Sequence, residues 1–113
     1  MANYSELPIY KDTYTLVLDI FNLVKEYSKM YKYTLGNSLL NNSLLLLNHL
    51  YKANSTVDKM PHLNDFINTF EIIKVELRLS CDLYATTIKR QEKILLLMNK
   101  IGKQIHGWKK IIK

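Results

Sequence analysis

Apolar residues recur every three or four positions along most of the chain, which is the period of an α-helix. In the first such stripe Tyr10, Tyr14 and Val17 follow one another at these intervals, and in the last Ile94 and Met98 do so. No stretch alternates with the two-residue period of a strand. The pattern therefore predicts four helices, at about residues 8–28, 34–53, 62–84 and 87–112.

The connections between these helices must be short, because the 113 residues include only two prolines and three glycines. Short connections favour antiparallel neighbours. We predict an all-α fold, an up-down antiparallel four-helix bundle in which residues 1–113 form a single domain. Thr34 is predicted to cap the second helix, and Thr86 or Thr87 the fourth, because a threonine hydroxyl can accept a hydrogen bond from a free backbone N–H.

The second predicted helix carries no charge, since no Asp, Glu, Lys or Arg lies between Leu35 and Tyr51. An uncharged helix is usually covered on more than one side. A bundle of four helices this small cannot easily cover it all, so the pattern predicts a homo-oligomer. We assign two groups to the subunit interface, with a core position as the alternative for the tyrosines: Leu39, Leu46 and Leu50 of the second helix, and Tyr10 and Tyr14 of the first.

The excess positive charge is confined to the last predicted helix. Residues 87–113 contain eight basic residues and one acid, for +7, whereas residues 1–86 contain eight basic residues and nine acids, for −1. On a helical wheel, five lysines of this helix fall within one arc opposite its apolar stripe. Those five are Lys89, Lys93, Lys100, Lys103 and Lys110, and they are flanked by Arg90, Lys109 and Lys113.

Such a row of lysines can follow a nucleic-acid strand, because each ammonium group neutralises a phosphate. Lysine lacks the planar fork with which arginine reads guanine, so we expect affinity with little sequence discrimination. All eight basic residues are therefore predicted to bind nucleic acid. A solvated helix face and a docking surface for an acidic protein are the alternatives, and Leu96, on the same side, is a candidate anchor for a protein contact.

The sequence offers no constellation for catalysis or metal binding. His49, His62 and His106 have no second histidine or cysteine at ligand spacing, so we predict no metal and no cofactor. Cys81 is alone on the apolar stripe of the third helix, which predicts a reduced, buried thiol in a cytoplasmic protein. A glycine-rich phosphate loop is missing, and neither arginine precedes a histidine at the spacing of small all-helical RNases. We predict a protein that is not an enzyme and has no small-molecule substrate.

The longest uncharged stretch, residues 34–51, contains four asparagines and His49. It is too polar to span a bilayer, so we predict no association with a membrane.

Short motifs are spread in order over nearly the whole chain. They are Leu7-Pro8-Ile9-Tyr10 with Tyr14 and Leu18, Tyr33-Thr34-Leu35-Gly36 leading to Leu50-Tyr51-Lys52-Ala53-Asn54, and Ile101-Gly102-Lys103 with Gly107-Trp108. Together they resemble the accessory variability determinant (Avd) family of diversity-generating retroelements. Proteins encoded as intervening sequences within ribosomal RNA genes share the bundle, but the Pro-Ser/Ala-Asn-Ile-Ala-Glu-Gly run typical of them is missing here.

The resemblance implies a non-catalytic protein that forms a homopentameric barrel, binds a reverse transcriptase and nucleic acid (RNA, and DNA as well), and supports mutagenic cDNA synthesis. Relatives often carry basic residues directly after the Thr-Leu-Gly turn, whereas this chain has Asn37, Ser38 and Leu39 there. No nucleic-acid contact is carried over to that segment. The alternative function is a protein-protein interaction module, or an intervening-sequence-type protein without a reverse transcriptase partner.

Overall fold

A computed structural model describes residues 6–112 of the chain, and within that range it contains four long helical segments and no strand. The prediction of an all-α fold is confirmed. In chain order the elements are α1 (Pro8–Val24), α2 (Lys29–Tyr31), a π-helix (Lys32–Gly36), α3 (Asn37–Ser55), α4 (Met60–Asp82) and α5 (Ile88–Ile111). The helical backbone is continuous from α2 through the π-helix into α3, so these three elements form the second long segment.

The four long segments pack as a bundle. Both α1 and α4 pack against α3 and against α5, so α1 and α4 lie at opposite corners. Side-chain contacts show that neighbours are antiparallel. Asn42 Nδ2 of α3 donates a hydrogen bond to Glu76 Oε1 of α4 (2.8 Å). Farther along α3, His49 Nε2 lies 3.2 Å from Oγ1 of Thr69, a residue that comes before Glu76 in α4. The arrangement is that of an up-down four-helix bundle.

The core consists of apolar side chains from all four segments. Leu39, Leu46 and Leu50 of α3 belong to it, and each is at most 1% exposed. Side chains this deep within one chain cannot contact a second one, so the assignment of these three leucines to an oligomer interface is wrong. The exposed stripe of α3 is the neighbouring one, with Leu44 and Tyr51.

The second long segment begins earlier than predicted, at Lys29, and Thr34 does not cap it. The Thr34 hydroxyl instead donates to the carbonyl oxygen of Met30 (2.8 Å), one turn back within the helical backbone. The π-helix brings Gly36 against α1, where an added Cβ would lie 2.8 Å from Val24 Cγ1. The Thr-Leu-Gly motif is therefore a close contact between two helices, not a helix start.

The remaining boundaries follow local side chains. The first helix, predicted to reach about residue 28, ends at Val24, and Tyr27 packs into the core from the connection that follows. Of the two threonines predicted as alternatives, Thr86 and Thr87, it is Thr87 that caps α5, since its hydroxyl accepts a hydrogen bond from the N–H of Arg90 (3.2 Å). Cys81 is only partly buried, so the prediction of a buried thiol is wrong, although desolvation raises the pKa of this thiol.

Candidate nucleic-acid interface

The buried stripe of α5 orients its basic residues. Ile94, Met98, Ile101 and Ile105 are at most 3% exposed, so the opposite side of the helix faces solvent. On that side Lys89, Leu96, Lys103 and Lys110 follow one another at intervals of seven residues, and all four are exposed. Side chains seven residues apart lie close to one line along a helix, here over about 31 Å at 1.5 Å per residue.

We call Lys89, Lys103 and Lys110 the outer lysines. Their ammonium groups have no salt-bridge partner among residues 6–112. Leu96, between Lys89 and Lys103, is 71% exposed. The line therefore combines three unpaired cations with one exposed apolar side chain, a surface that suits a polyanion.

Three further residues of the predicted basic set, Arg90, Lys93 and Lys100, pair with acids of α1 and the turn after it. Lys93 Nζ lies 3.7 Å from Asp19 Oδ1, and Lys100 Nζ lies 3.3 Å from Asp12 Oδ2. A third contact joins Arg90 to Glu26: the guanidinium Nε donates to Oε1 (2.9 Å), and Nη2 donates to Oε2.

Three acids and three bases meet where the first helix and the turn after it pack against α5. We call Asp12, Asp19 and Glu26 the acid stripe, and Arg90, Lys93 and Lys100 the seam bases. The three acids are seven residues apart, so they recur on one side of the first helix and the turn after it. Rising numbers on α1 pair with falling numbers on α5, as antiparallel helices require.

The acids of the two lysine pairs are much less exposed than the lysines. The side chains of Asp12 and Asp19 are 19% and 16% exposed, whereas those of Lys100 and Lys93 are 65% and 80% exposed. Asp12 is also held by Gln104, whose Nε2 donates to Oδ2 (2.7 Å). The carboxylates therefore lie mostly buried in the groove between the helices, while the lysine side chains remain largely exposed to solvent.

The predicted basic row is thus two groups with different surroundings. The outer lysines have no salt-bridge partner in the part of the chain that the structure describes, whereas the seam bases are partly neutralised by acids of α1 and the turn after it. Lys109 is exposed only in part, and Lys113 lies outside the described residues. The wheel placed Lys93 and Lys100 at one edge of the basic arc, but it carries no information about which helix lies beside that edge. The seven-residue spacing of Asp12, Asp19 and Glu26 was the signal in the sequence that could have indicated a partner for these bases.

A family model described as bAvd-like matches residues 7–112, which is nearly the whole chain. The chain belongs to the bAvd-like family. Among curated proteins, none matches the chain significantly. The match agrees with the resemblance to the Avd family and spans every helix of the bundle.

Besides the exposed stripe of α3, strips of exposed apolar side chains lie on α1 and on α4 of this bAvd-like protein. On α1, Tyr14, Leu18 and Phe21 are between 36% and 51% exposed. The ring of Tyr14 lies 6.1 Å from that of Tyr10, which is partly buried. We call Tyr14, Leu18 and Phe21 the α1 strip, and the assignment of Tyr10 and Tyr14 to a subunit interface remains a prediction.

The second strip lies on α4 and was missed by the sequence reasoning. Ile72, Val75, Leu79 and Leu83 are each at least 40% exposed and follow one another at intervals of three and four residues. We call them the α4 strip. The spacing was visible in the sequence as a second apolar stripe, but the deeper stripe of the same helix, with Phe66 and Phe70, concealed it.

No helix in the described part of this bAvd-like chain is long and apolar enough to cross a membrane. Within the same residues, no group of three or more His, Cys, Asp or Glu side chains could hold a metal ion.

Proposed function

We propose that this protein is a non-catalytic accessory factor of a diversity-generating retroelement, and that it binds the reverse transcriptase and nucleic acid through the basic side of α5. Membership of the bAvd-like family supports the cellular role. The observation that carries the binding proposal is the line of outer lysines, which are exposed and unpaired. RNA is the expected ligand, and DNA is an additional one.

The physical basis is the release of counterions. Each cation that neutralises a phosphate of a single strand adds about 0.7 to the slope of log affinity against log salt concentration. Loss of three such contacts makes the slope shallower by about 2. If the two proteins bind equally well at 1 M salt, the protein that lacks these contacts then binds roughly a hundredfold more weakly than the unmodified one at 0.1 M salt.

The test removes the positive charges of the three outer lysines by combining Lys89→Gln, Lys103→Gln and Lys110→Gln in one chain. Its affinity for single-stranded RNA is measured by fluorescence anisotropy from 0.05 to about 0.3 M salt, a range in which counterion release dominates the binding. We expect the slope to fall by about 2.

The matched control neutralises three exposed lysines of other elements, Lys11→Gln, Lys25→Gln and Lys52→Gln, and has the same net charge. We expect the control to keep most of the slope. Equal slopes for the outer-lysine variant and the unmodified protein would show that these lysines do not bind phosphate.

We further propose that the protein assembles as a ring, with five as the number that the family resemblance implies. A cyclic ring needs two different surfaces on each protomer, each binding the other surface of a neighbour. The α1 strip and the α4 strip meet this need, because their helices lie at opposite corners of the bundle. A pentamer would carry a formal charge of 5 × 6 = +30, so weak phosphate contacts would add through multivalency.

The ring is tested by blocking each strip with a charge, using Leu18→Glu on α1 and Val75→Glu on α4. Light scattering should report a pentamer for the unmodified chain and a monomer for each variant. A mixture of the two variants should form a dimer, because each retains the strip that the other lacks. A ring formed by either variant alone, or a mixture that stays monomeric, contradicts this pairing of strips.

Binding of the reverse transcriptase is tested by co-purification with the polymerase of the same element.

A role confined to protein contacts is the alternative, and the exposed Leu96 beside the outer lysines favours it as the second candidate. Free RNA distinguishes the two: it should compete with the polymerase if both use the basic side of α5, and it should not compete if RNA binds elsewhere or not at all.

A further inference from the structure

The acid stripe, on α1 and the turn after it, has a consequence for phosphate binding by α5. We infer that Asp12, Asp19 and Glu26 compete with phosphate for the seam bases, and that they thereby set which cations of α5 bind nucleic acid and how tightly. The inference rests on the proposed function, since it concerns the same basic surface. In this view the acids weaken phosphate binding by the seam bases, and the outer lysines remain the principal phosphate contacts.

The first support is the regular matching of the two helices. Asp12 and Asp19 are separated by two helical turns, and so are their partners Lys100 and Lys93. Charges at seven-residue intervals on packed helices commonly form such interhelical pairs. The acids therefore act on successive seam bases along the groove and not on one isolated cation.

The second support is the difference in burial within each pair. Asp19 Oδ2 is buried and has no hydrogen-bond partner among the described residues. A carboxylate that is mostly removed from water depends on a nearby cation for compensation. When Lys93 turns toward a phosphate, it leaves this carboxylate uncompensated, so phosphate binding at the seam opposes an interaction that the outer lysines do not have.

The third support is a cavity of about 110 Å³ beside the middle of the seam. Its wall combines two cations with one carboxylate and an amide, and it is lined by Asp19, Asn22, Leu23, Arg90, Lys93 and Ile94. The negative charge of Asp19 repels an anionic group from this space, and the Arg90 guanidinium beside it already donates to both carboxylate oxygens of Glu26. With Asp19 replaced by asparagine, the same wall carries two cations and two amides and no carboxylate.

The experiment removes the negative charges and keeps the side-chain shapes, with Asp12→Asn, Asp19→Asn and Glu26→Gln in one chain. The probe is the same single-stranded RNA, measured over the same range of salt. If the acids compete with phosphate, the slope should become steeper by up to about 2, because three further cations become available at about 0.7 each. The affinity at 0.1 M salt should rise between about tenfold and a hundredfold.

The matched control is Glu6→Gln, Asp58→Asn and Asp65→Asn, three exposed acids outside the acid stripe that have no salt-bridge partner among residues 6–112. This control changes the net charge by the same +3, so it measures the general effect of charge on RNA binding. Equal slopes for the two triple variants would overturn the inference. The single variant Asp19→Asn provides the same comparison on a smaller scale, with a change of about 0.7, should the triple variant unfold.

A second comparison separates this inference from the proposed function. In a chain that already lacks the outer lysines, neutralisation of the acid stripe should restore part of the lost RNA affinity, because the seam bases then bind phosphate. No restoration, in a chain whose unmodified parent binds RNA with a steep salt slope, overturns the role of the acids and leaves the proposed function standing. An unmodified protein without salt-dependent RNA binding overturns both.

Discussion

Replacement of Gly36 by alanine should destabilise the protein, although the same change in a helix usually stabilises. The backbone of Gly36 is helical, with φ −59° and ψ −48°, so it needs no special freedom and alanine would be favoured by up to about 1 kcal/mol. The opposing effect is steric. An added Cβ would lie 2.8 Å from Val24 Cγ1 and 3.1 Å from the carbonyl oxygen of Tyr31.

The size of the steric effect follows from these distances. Carbon atoms in contact prefer a separation of about 3.5–4.0 Å, so the new methyl group is roughly 1 Å too close to Val24. Val24 is 2% exposed, and its branched side chain is stiff in a helix, so it cannot simply turn away. Overpacking of this kind costs about 1–3 kcal/mol. We therefore expect a net loss of about 0.5–2 kcal/mol, or roughly 2–8 °C in melting temperature for a chain of this length.

The assay is thermal and urea unfolding followed by circular dichroism at one fixed protein concentration, because the stability of an oligomer depends on concentration. Gly107→Ala is the matched control: a Cβ at Gly107 would meet nothing within 4 Å, so this change should stabilise by up to about 1 kcal/mol. In the double variant with Val24→Ala, the cost of Gly36→Ala should shrink, which a double-mutant cycle measures. Stabilisation by Gly36→Ala to the same degree as by Gly107→Ala would refute the close contact.

Three further predictions concern single side chains. Thr87→Ala should cost about 1 kcal/mol in urea unfolding, because α5 loses its N-cap, whereas Thr87→Ser should cost much less. Burial lowers the pKa of His49 below its ordinary value of 6.5, so the unfolded chain binds this proton more readily than the folded one. The free energy of unfolding should therefore keep its full value above about pH 6.5 and fall as the pH drops below it. His49→Gln should remove this part of the pH dependence. Desolvation raises the pKa of Cys81, so alkylation by iodoacetamide near pH 7.5 should be slower than that of free cysteine and should accelerate as the pH rises; equal rates would contradict the shift.

The choice between two stripes on α3 illustrates what a single helix cannot reveal. Leu39, Leu46 and Leu50 form one stripe, and Leu44 and Tyr51 belong to another, with no charge on either. Charge normally marks the solvent side of a helix, so its absence left the orientation of α3 open. The packing of α1 and α4 on either side decided it, and the first stripe became the core.

The sequence by itself determined the number of long helical segments, a cap for the last one at Thr86 or Thr87, and the concentration of positive charge on that helix, because these depend on residues a few positions apart. The tertiary structure alone decided that Asp12 and Asp19 face Lys100 and Lys93, that Gly36 contacts Val24 and that the α4 strip remains uncovered. The physical reason is the same in each case. A helical period fixes the angle of a side chain relative to its own core stripe, whereas its partner is fixed by which helix packs beside it and in what register.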